Sequence, residues 1–314
     1  MPAAAMRNSN ASPDTLAVLK LIASVTLWGA TWVSGRVLAQ EMSPFSAAFL
    51  RFFTASVFLF FMTSRLEGRV PKLKPRQIPA VILLGLTGVF FYNAFFFSGL
   101  QTVTAGRAAL IIAAIPSLLA FFSAIFFKER LTGRKILGVA VSLTGATIVI
   151  SHGNPAALLS GGLARGDLFI LGCVASWTAY SLIGKKVMEG LSPFAAVTWS
   201  CIVGDALLLI PALYFGLIGE AAGASLTAWA NILFLGVAAT GIAFSWYYAG
   251  IKALGASRAG VFINLVPVVA VILASLILGE VPDAAVLIGG AVVIAGVFLT
   301  NRPPRKRNVP PEPV

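Results

Sequence analysis

Residues Trp28–Phe45 read WGATWVSGRVLAQEMSPF, and residues Trp177–Phe194 read WTAYSLIGKKVMEGLSPF. Both stretches start on Trp, pass through small residues, carry a basic residue at Arg36 or Lys185, and close on Ser-Pro-Phe, 149 residues apart. A second pair lies further on: TAGRAALIIAAIPSLLAFFSAIFFKE (104–129) aligns with GASRAGVFINLVPVVAVILASLILGE (255–280) at an offset of 151. It sets Arg107 on Arg258, Pro116 on Pro267 and Glu129 on Glu280, so an insertion of two residues falls around 194–235. The chain is therefore written as two related halves.

The solvent of those halves follows from composition. Of 314 residues, 58% are hydrophobic and 11% charged, with a mean hydropathy of +0.92. A soluble domain carries about 25% charged residues, so this chain cannot coat a water-exposed surface and belongs in a bilayer. A spanning helix needs about 20 apolar residues. Ten such runs are present, at 16–37, 44–64, 78–99, 104–127, 134–151, 166–187, 193–217, 228–251, 256–279 and 283–300. The first is longer than a signal-peptide core and has a counterpart at 166–187, so it is read as retained.

Net charge is +12, but the basic residues sit in short segments between apolar runs, where they report topology rather than a nucleic-acid surface. In an alternating ten-span layout, only Arg36, Arg51, Arg107 and Arg165 of the 23 Lys and Arg fall away from one common side. The positive-inside rule puts that side, and both termini, in the cytoplasm. Five spans per half is an odd number, so the second half enters the membrane from the opposite face. Inverted-topology repeats of this kind belong to secondary transporters that open a midplane site alternately to either side.

The expected architecture is all-α and polytopic: ten transmembrane helices in two inverted five-helix repeats. Residues 1–15 form a cytoplasmic tail, 16–151 the first repeat, 152–165 an external linker, 166–300 the second repeat, and 301–314 a basic cytoplasmic tail. Cys173 and Cys201 lie inside apolar runs and read as small buried hydrophobes. His152 is the only histidine. No metal site, cofactor or catalytic triad is expected, and the chain is not read as an enzyme.

Trp28-Gly29, Ser43-Pro44, Arg51-Phe52, Pro116, Glu129 and the Gly138/Gly145 spacing, echoed by Trp177, Ser192-Pro193, Pro267, Glu280, Gly289 and Gly296, resemble the EamA-type drug/metabolite transporters. The resemblance covers about residues 16–300; Ser200 departs from it, standing where the first half has Arg51. It implies ten helices around a central substrate pathway and export of small metabolites across the bacterial inner membrane. The aromatic richness is most similar to the aromatic amino-acid exporters of that family. Multidrug efflux of lipophilic cations is the alternative, and a non-transporting sensor or scaffold a remote one. The partners implied are a small-molecule substrate and the lipid bilayer, with no nucleic acid; the chain is compatible with a monomer.

Candidate substrate residues follow from helical spacing. Trp28, Thr31 and Trp32 share one face, matched by Trp177, Tyr180 and Ser181. Such a face combines ring surface with hydroxyls and suits an amphipathic organic solute. Phe90, Asn93 and Phe97 fall together on the third span, and Phe244 and Tyr248 lie in the counterpart segment of the eighth. Asn93 and Asn264 are mid-membrane amides that must find partners inside the bundle. Pro116 and Pro267 are expected to kink their helices, and Asp205, an acid near the middle of the seventh span, is the candidate for ion coupling.

Overall fold

The structure is a computed structural model, and it describes residues 13–128, 132–156, 164–187 and 191–301. These form helices and turns, with ten segments long and apolar enough to cross a membrane. They are α1 (Pro13–Glu41), α2 (Pro44–Glu67), α3 (Pro75–Leu100), α4 (Ala105–Phe127), α5 (Gly133–Ile150), α6 (Arg165–Val187), α7 (Pro193–Tyr214), α8 (Leu226–Leu254), α9 (Ala256–Ile263 continuing as Val266–Leu278) and α10 (Ala284–Asn301). A short helix, Leu217–Gly223, links α7 to α8. The two chain ends, Glu129 and half of the 152–165 linker (157–163) lie outside the described residues.

Local sequence sets the helix ends. Ser43, Thr132, Ser192 and Ser225 each take an extended conformation, and each side chain accepts a bond from the amide three residues on, satisfying one of the free donors of a helix start. Pro44 and Pro193 follow as first helical residues, where a missing N–H costs nothing. Gly68 and Gly279 end α2 and α9 with positive φ of 75° and 67°, a conformation that favours glycine.

Two helix pairs tie the halves together, each made of a helix and its counterpart in the sequence repeat. In the first, Thr63 and Thr198 share a hydroxyl hydrogen bond of 2.8 Å. At one end of that pair the Ser43 amide and hydroxyl donate to Glu220; at the other the Ser192 hydroxyl donates to Glu67 at 2.5 Å. So α2 and α7 run antiparallel, with a serine N-cap bound by a carboxylate from the other half at each end. In the second pair, α5 and α10 meet through Gly138, Gly145, Gly289 and Gly296. An added Cβ on Gly145 would lie 2.5 Å from the Val293 nitrogen. Backbone contact this close needs glycine.

Both third spans of the halves contain a π-helical stretch, Gly85–Phe91 in α3 and Phe234–Ile242 in α8. The Thr240 hydroxyl donates to the carbonyl five residues back, Leu235, at 2.8 Å. The fourth spans are broken at matching places. α4 divides into Ala105–Ile112 and Ile115–Phe127, and α9 into Ala256–Ile263 and Val266–Leu278. Pro116 and Pro267 sit in the first turn of the second pieces, so each helix stops one turn ahead of its proline and restarts there. The core runs through Leu21, Leu38, Phe96, Phe97, Leu100 and Ile170, and the exterior is studded with Phe61, Ile210, Leu226 and Leu276. An apolar exterior around an equally apolar core is the pattern of a chain dissolved in lipid.

Candidate functional site

The two repeated tryptophans reach across the halves. Trp28 in α1 donates its indole N–H to the carbonyl of Ala239, 3.0 Å away in the π-helical stretch of α8. Its ring packs on Phe244 at 5.2 Å and Tyr247 at 5.0 Å. Trp177 in α6 makes the corresponding contact with α3, its ring 5.3 Å from Tyr92 and 5.2 Å from Tyr180 on its own helix. Gly88 in the π stretch of α3 makes room for Tyr180: any Cβ there would overlap that ring. Each first span thus reads the π-helical part of the opposite third span. Such stretches recur at functional sites because they break the regular bonding register of a helix.

Around this seam the other candidates divide. Trp32 is buried against Phe96 with ring centres 5.1 Å apart, and Phe97 is fully buried in the core. The Thr31 and Ser181 hydroxyls donate to Trp28 and Trp177 carbonyls one turn back, at 2.6 and 2.8 Å, leaving their oxygens as acceptors. Phe90 stands apart. It lines a groove of about 530 Å³ with Leu86, Leu207, Ile210, Pro211 and Tyr214, on the apolar outside of α3 and α7. The π turn explains the separation, since Phe90 lies within it and Asn93 beyond it, so 3.6-residue spacing does not carry across. Asn264 occupies the turn between the halves of α9. The Tyr248 side chain lies outside the described set.

Asn93 is 1% exposed, and both ends of its amide are engaged: Nδ2 donates to the Val89 carbonyl at 2.8 Å, and Oδ1 accepts from the Arg51 guanidinium at 3.0 Å. Spacing arguments passed over this pairing, because the partners are 42 residues apart. The signal available was a cation inside a span whose repeat counterpart, Ser200, is neutral. Asp205 is also buried, and its Oδ1 meets no hydrogen-bond partner among the described residues. Counting antiparallel from the Thr63–Thr198 bond places Asp205 level with Ser56, its own counterpart in the first half. The Ser56 hydroxyl likewise finds no partner among the described residues.

Ion pairs cluster at one end of the bundle. Arg107 at the start of α4 binds Asp167 of α6 at 2.9 Å and the Val149 and Ile150 carbonyls that end α5. Glu280 accepts from the Ala105 amide at 2.8 Å, filling the start of α4, and lies 3.5 Å from Arg36, which also donates to the Leu100 carbonyl. A carboxylate at a helix N-terminus meets free amides and the positive end of the dipole. His152 and Asp283 pair at 2.6 Å at the same end, joining α5 to α10. No group of three or more metal-ligating side chains occurs among the described residues.

A ten-helix bundle with matched π stretches and matched breaks has a counterpart among known families. The family model for EamA-like transporters matches residues 15–151 and again 164–302. The chain belongs to the EamA-like transporter family. Among similar EamA-like proteins, the probable terminal-alkyne amino-acid exporter of Streptantibioticus cattleyicolor is 31% identical, covering 91% of this chain and 93% of that one. The uncharacterized transporter YyaM of Bacillus subtilis is 28% identical over 87% and 89%. The probable amino-acid metabolite efflux pump of Salmonella typhimurium is 28% identical over 88% and 91%. A solved crystal structure shares the fold with a TM-score of 0.62 at 21% identity, over 90% of this chain and 97% of the other. This EamA-like chain is a multi-pass membrane transporter and not an enzyme.

Proposed function

We propose that this transporter exports amino acids, aromatic and other neutral ones, or closely related metabolites, across the cytoplasmic membrane by alternating access between two inverted halves, with both termini on the cytoplasmic side. The observation that carries the reading is the reciprocal seam: Trp28 on α8 and Trp177 on α3, each at a π-helical stretch beside a broken span. The rings and the irregular backbone there offer a substrate apolar contact and hydrogen-bonding groups together. The antiparallel α2–α7 and α5–α10 pairs form the frame against which α3, α4, α8 and α9 rock. A relative named a probable terminal-alkyne amino-acid exporter and one named a probable amino-acid metabolite efflux pump support the substrate class.

Asp205 is proposed as the ion-coupling group: an acid at mid-span, level with Ser56, on the pseudo-two-fold between the halves. That same acid favours the second reading, efflux of lipophilic cations. Counterflow decides among these. Protein in liposomes is preloaded with unlabelled candidates, and entry of labelled Phe, Trp, Tyr, Thr and a lipophilic cation is followed with and without a pH gradient. Exchange of amino acids that is lost in Trp28→Ala is the expected result. Uptake of the cation alone overturns the substrate class.

A further inference from the structure

We infer that Arg51 is the carboxylate-binding residue of this transporter, held in place by Asn93; the assignment deepens the amino-acid reading above and rests on it. Arg51 enters seven residues past the start of α2, about 10 Å along the helix, where a cation is costly unless paired. The described ion pairs, Arg36–Glu280, Arg107–Asp167 and His152–Asp283, leave it out. Its single described hydrogen bond goes to the neutral Asn93 Oδ1 at 3.0 Å, and its buried Nε has no partner among the described residues. A guanidinium carries five N–H donors in a fixed fork.

What surrounds the guanidinium says which anion completes it. The Phe52 and Phe96 rings lie 5.1 and 5.6 Å from its central carbon, and ring faces offset part of the charge without satisfying the donors. Phe96 also packs on Trp32 at 5.1 Å and on Tyr92 at 6.1 Å, and Tyr92 leads to Trp177 at 5.3 Å. The cation therefore borders the aromatic seam. A planar two-oxygen acceptor matches the guanidinium fork, and the half-buried Tyr92 and Trp177 rings accept an apolar or aromatic body. The ligand class is a carboxylate with such a side chain.

Asn93 acts as a positioning residue. Its Nδ2 is tied to Val89 at 2.8 Å, so Oδ1 is a fixed acceptor that aims the guanidinium. The second half lacks the device: Ser200 stands at the equivalent place, buried, donating to the Val197 carbonyl at 2.9 Å. The carboxylate is thus bound once, in one polarity, within an otherwise paired architecture.

The test uses the full chain in detergent, melted with phenylalanine, phenylacetate or phenethylamine, as wild type, Arg51→Gln, Arg51→Lys and Asn93→Ala. Both carboxylates are expected to raise the wild-type melting temperature and the amine is not. Arg51→Gln should lower carboxylate affinity by about 10- to 100-fold, the value of a charged hydrogen bond. It should melt, ligand-free, no lower than wild type, because an uncompensated charge has been removed. Arg51→Lys should keep part of the response, and Asn93→Ala should weaken it less than Arg51→Gln does. Equal carboxylate responses in wild type and Arg51→Gln would overturn the assignment, as would a wild type stabilised by the amine or by neither carboxylate. Liposome counterflow of phenylalanine separates the two readings: a wild type that binds carboxylates through Arg51 but exchanges no amino acid sinks the exporter proposal and leaves the anion site standing.

Discussion

Gly145→Ala tests the close-packed α5–α10 pair that is proposed as part of the transport frame. A Cβ at Gly145 falls 2.5 Å from the Val293 nitrogen and 2.6 Å from the Gly289 carbonyl oxygen, against 3.4 Å for ordinary contact. Both obstacles are backbone atoms and cannot turn aside as a side chain does, so α5 and α10 must part by about 0.9 Å at this crossing. A gap of that size forfeits a quarter to a half of each dispersion contact along the seam. Overpacking of this kind costs about 3 kcal/mol at its upper end, and the better helix propensity of alanine returns about 1 kcal/mol. The net loss of about 2 kcal/mol corresponds to a fall of about 3 °C in melting temperature for a chain of 314 residues, followed by tryptophan fluorescence in detergent. Gly260→Ala is the control. It lies inside the first piece of α9 with nothing within 4 Å of an added Cβ, so it gains the propensity without the clash and melts at or above wild type. Gly296→Ala strikes the same seam against the Ser142 backbone, and the double variant should lose less than the sum because the helices have already separated. A Gly145→Ala protein as stable as wild type would refute the close-packed pairing.

Four further outcomes are expected. Asp167→Asn leaves Arg107 buried opposite a neutral group and should cost about 3–5 kcal/mol, recovered in large part by the double change Arg107→Met with Asp167→Leu; a single variant that melts like wild type would contradict the ion pair. Trp28→Phe keeps the ring but loses the bond to Ala239, so amino-acid counterflow should fall by about 3- to 10-fold, from a bond worth about 1 kcal/mol, with Trp28→Ala lower still; equal rates in all three proteins would remove Trp28 from the pathway. Asp283 is held below the usual carboxylate range, first by the bond from His152 and then by the Val286 amide. Its folded value is the depressed one, so its contribution is present at neutral pH and is lost as pH falls through that value; in His152→Ala the carboxyl titration, read by NMR, should move up, and an unmoved midpoint would dismiss the pair. Reporter domains fused to either end should both report the cytoplasm, and opposite faces would rule out two inverted five-span halves.

What could be read before folding was whatever depends on neighbours along the chain. The runs 44–64 and 283–300 became Pro44–Glu67 and Ala284–Asn301, because length and hydropathy alone fix where a span lies. The first run, read as 16–37, extends to Pro13–Glu41 because Gln40 and Glu41 continue the helix and find partners, the Leu100 carbonyl and Ser225. The prolines pointed to the right turns of α4 and α9, yet a broken helix and a kinked one share the same letters; the structure shows breaks, with turns at Ala113–Ala114 and Asn264–Leu265. Phe90, Asn93 and Phe97 share a face in a regular helix; the π stretch shifts that phase, leaving Phe90 half-buried at the rim of the core and Asn93 in the interior.

The candidate site was legible as residue types and illegible as pairs. Trp28 with Ala239, Arg51 with Asn93 and Ser192 with Glu67 are separated by 211, 42 and 125 residues, and no local pattern encodes such distances. The repeat nevertheless carries the decisive hint in its failures. Where the halves agree, as at Trp28/Trp177 or Pro116/Pro267, the residues serve a symmetric machine. Where they disagree inside the membrane, at Arg51/Ser200 and Ser56/Asp205, one half holds a charge that hydrocarbon penalises and that the other half does without. A symmetric scaffold has no use for a lone charge, whereas a zwitterionic solute bound in one orientation requires its ends to be told apart. The places where the second copy departs from the first are therefore where recognition should be sought.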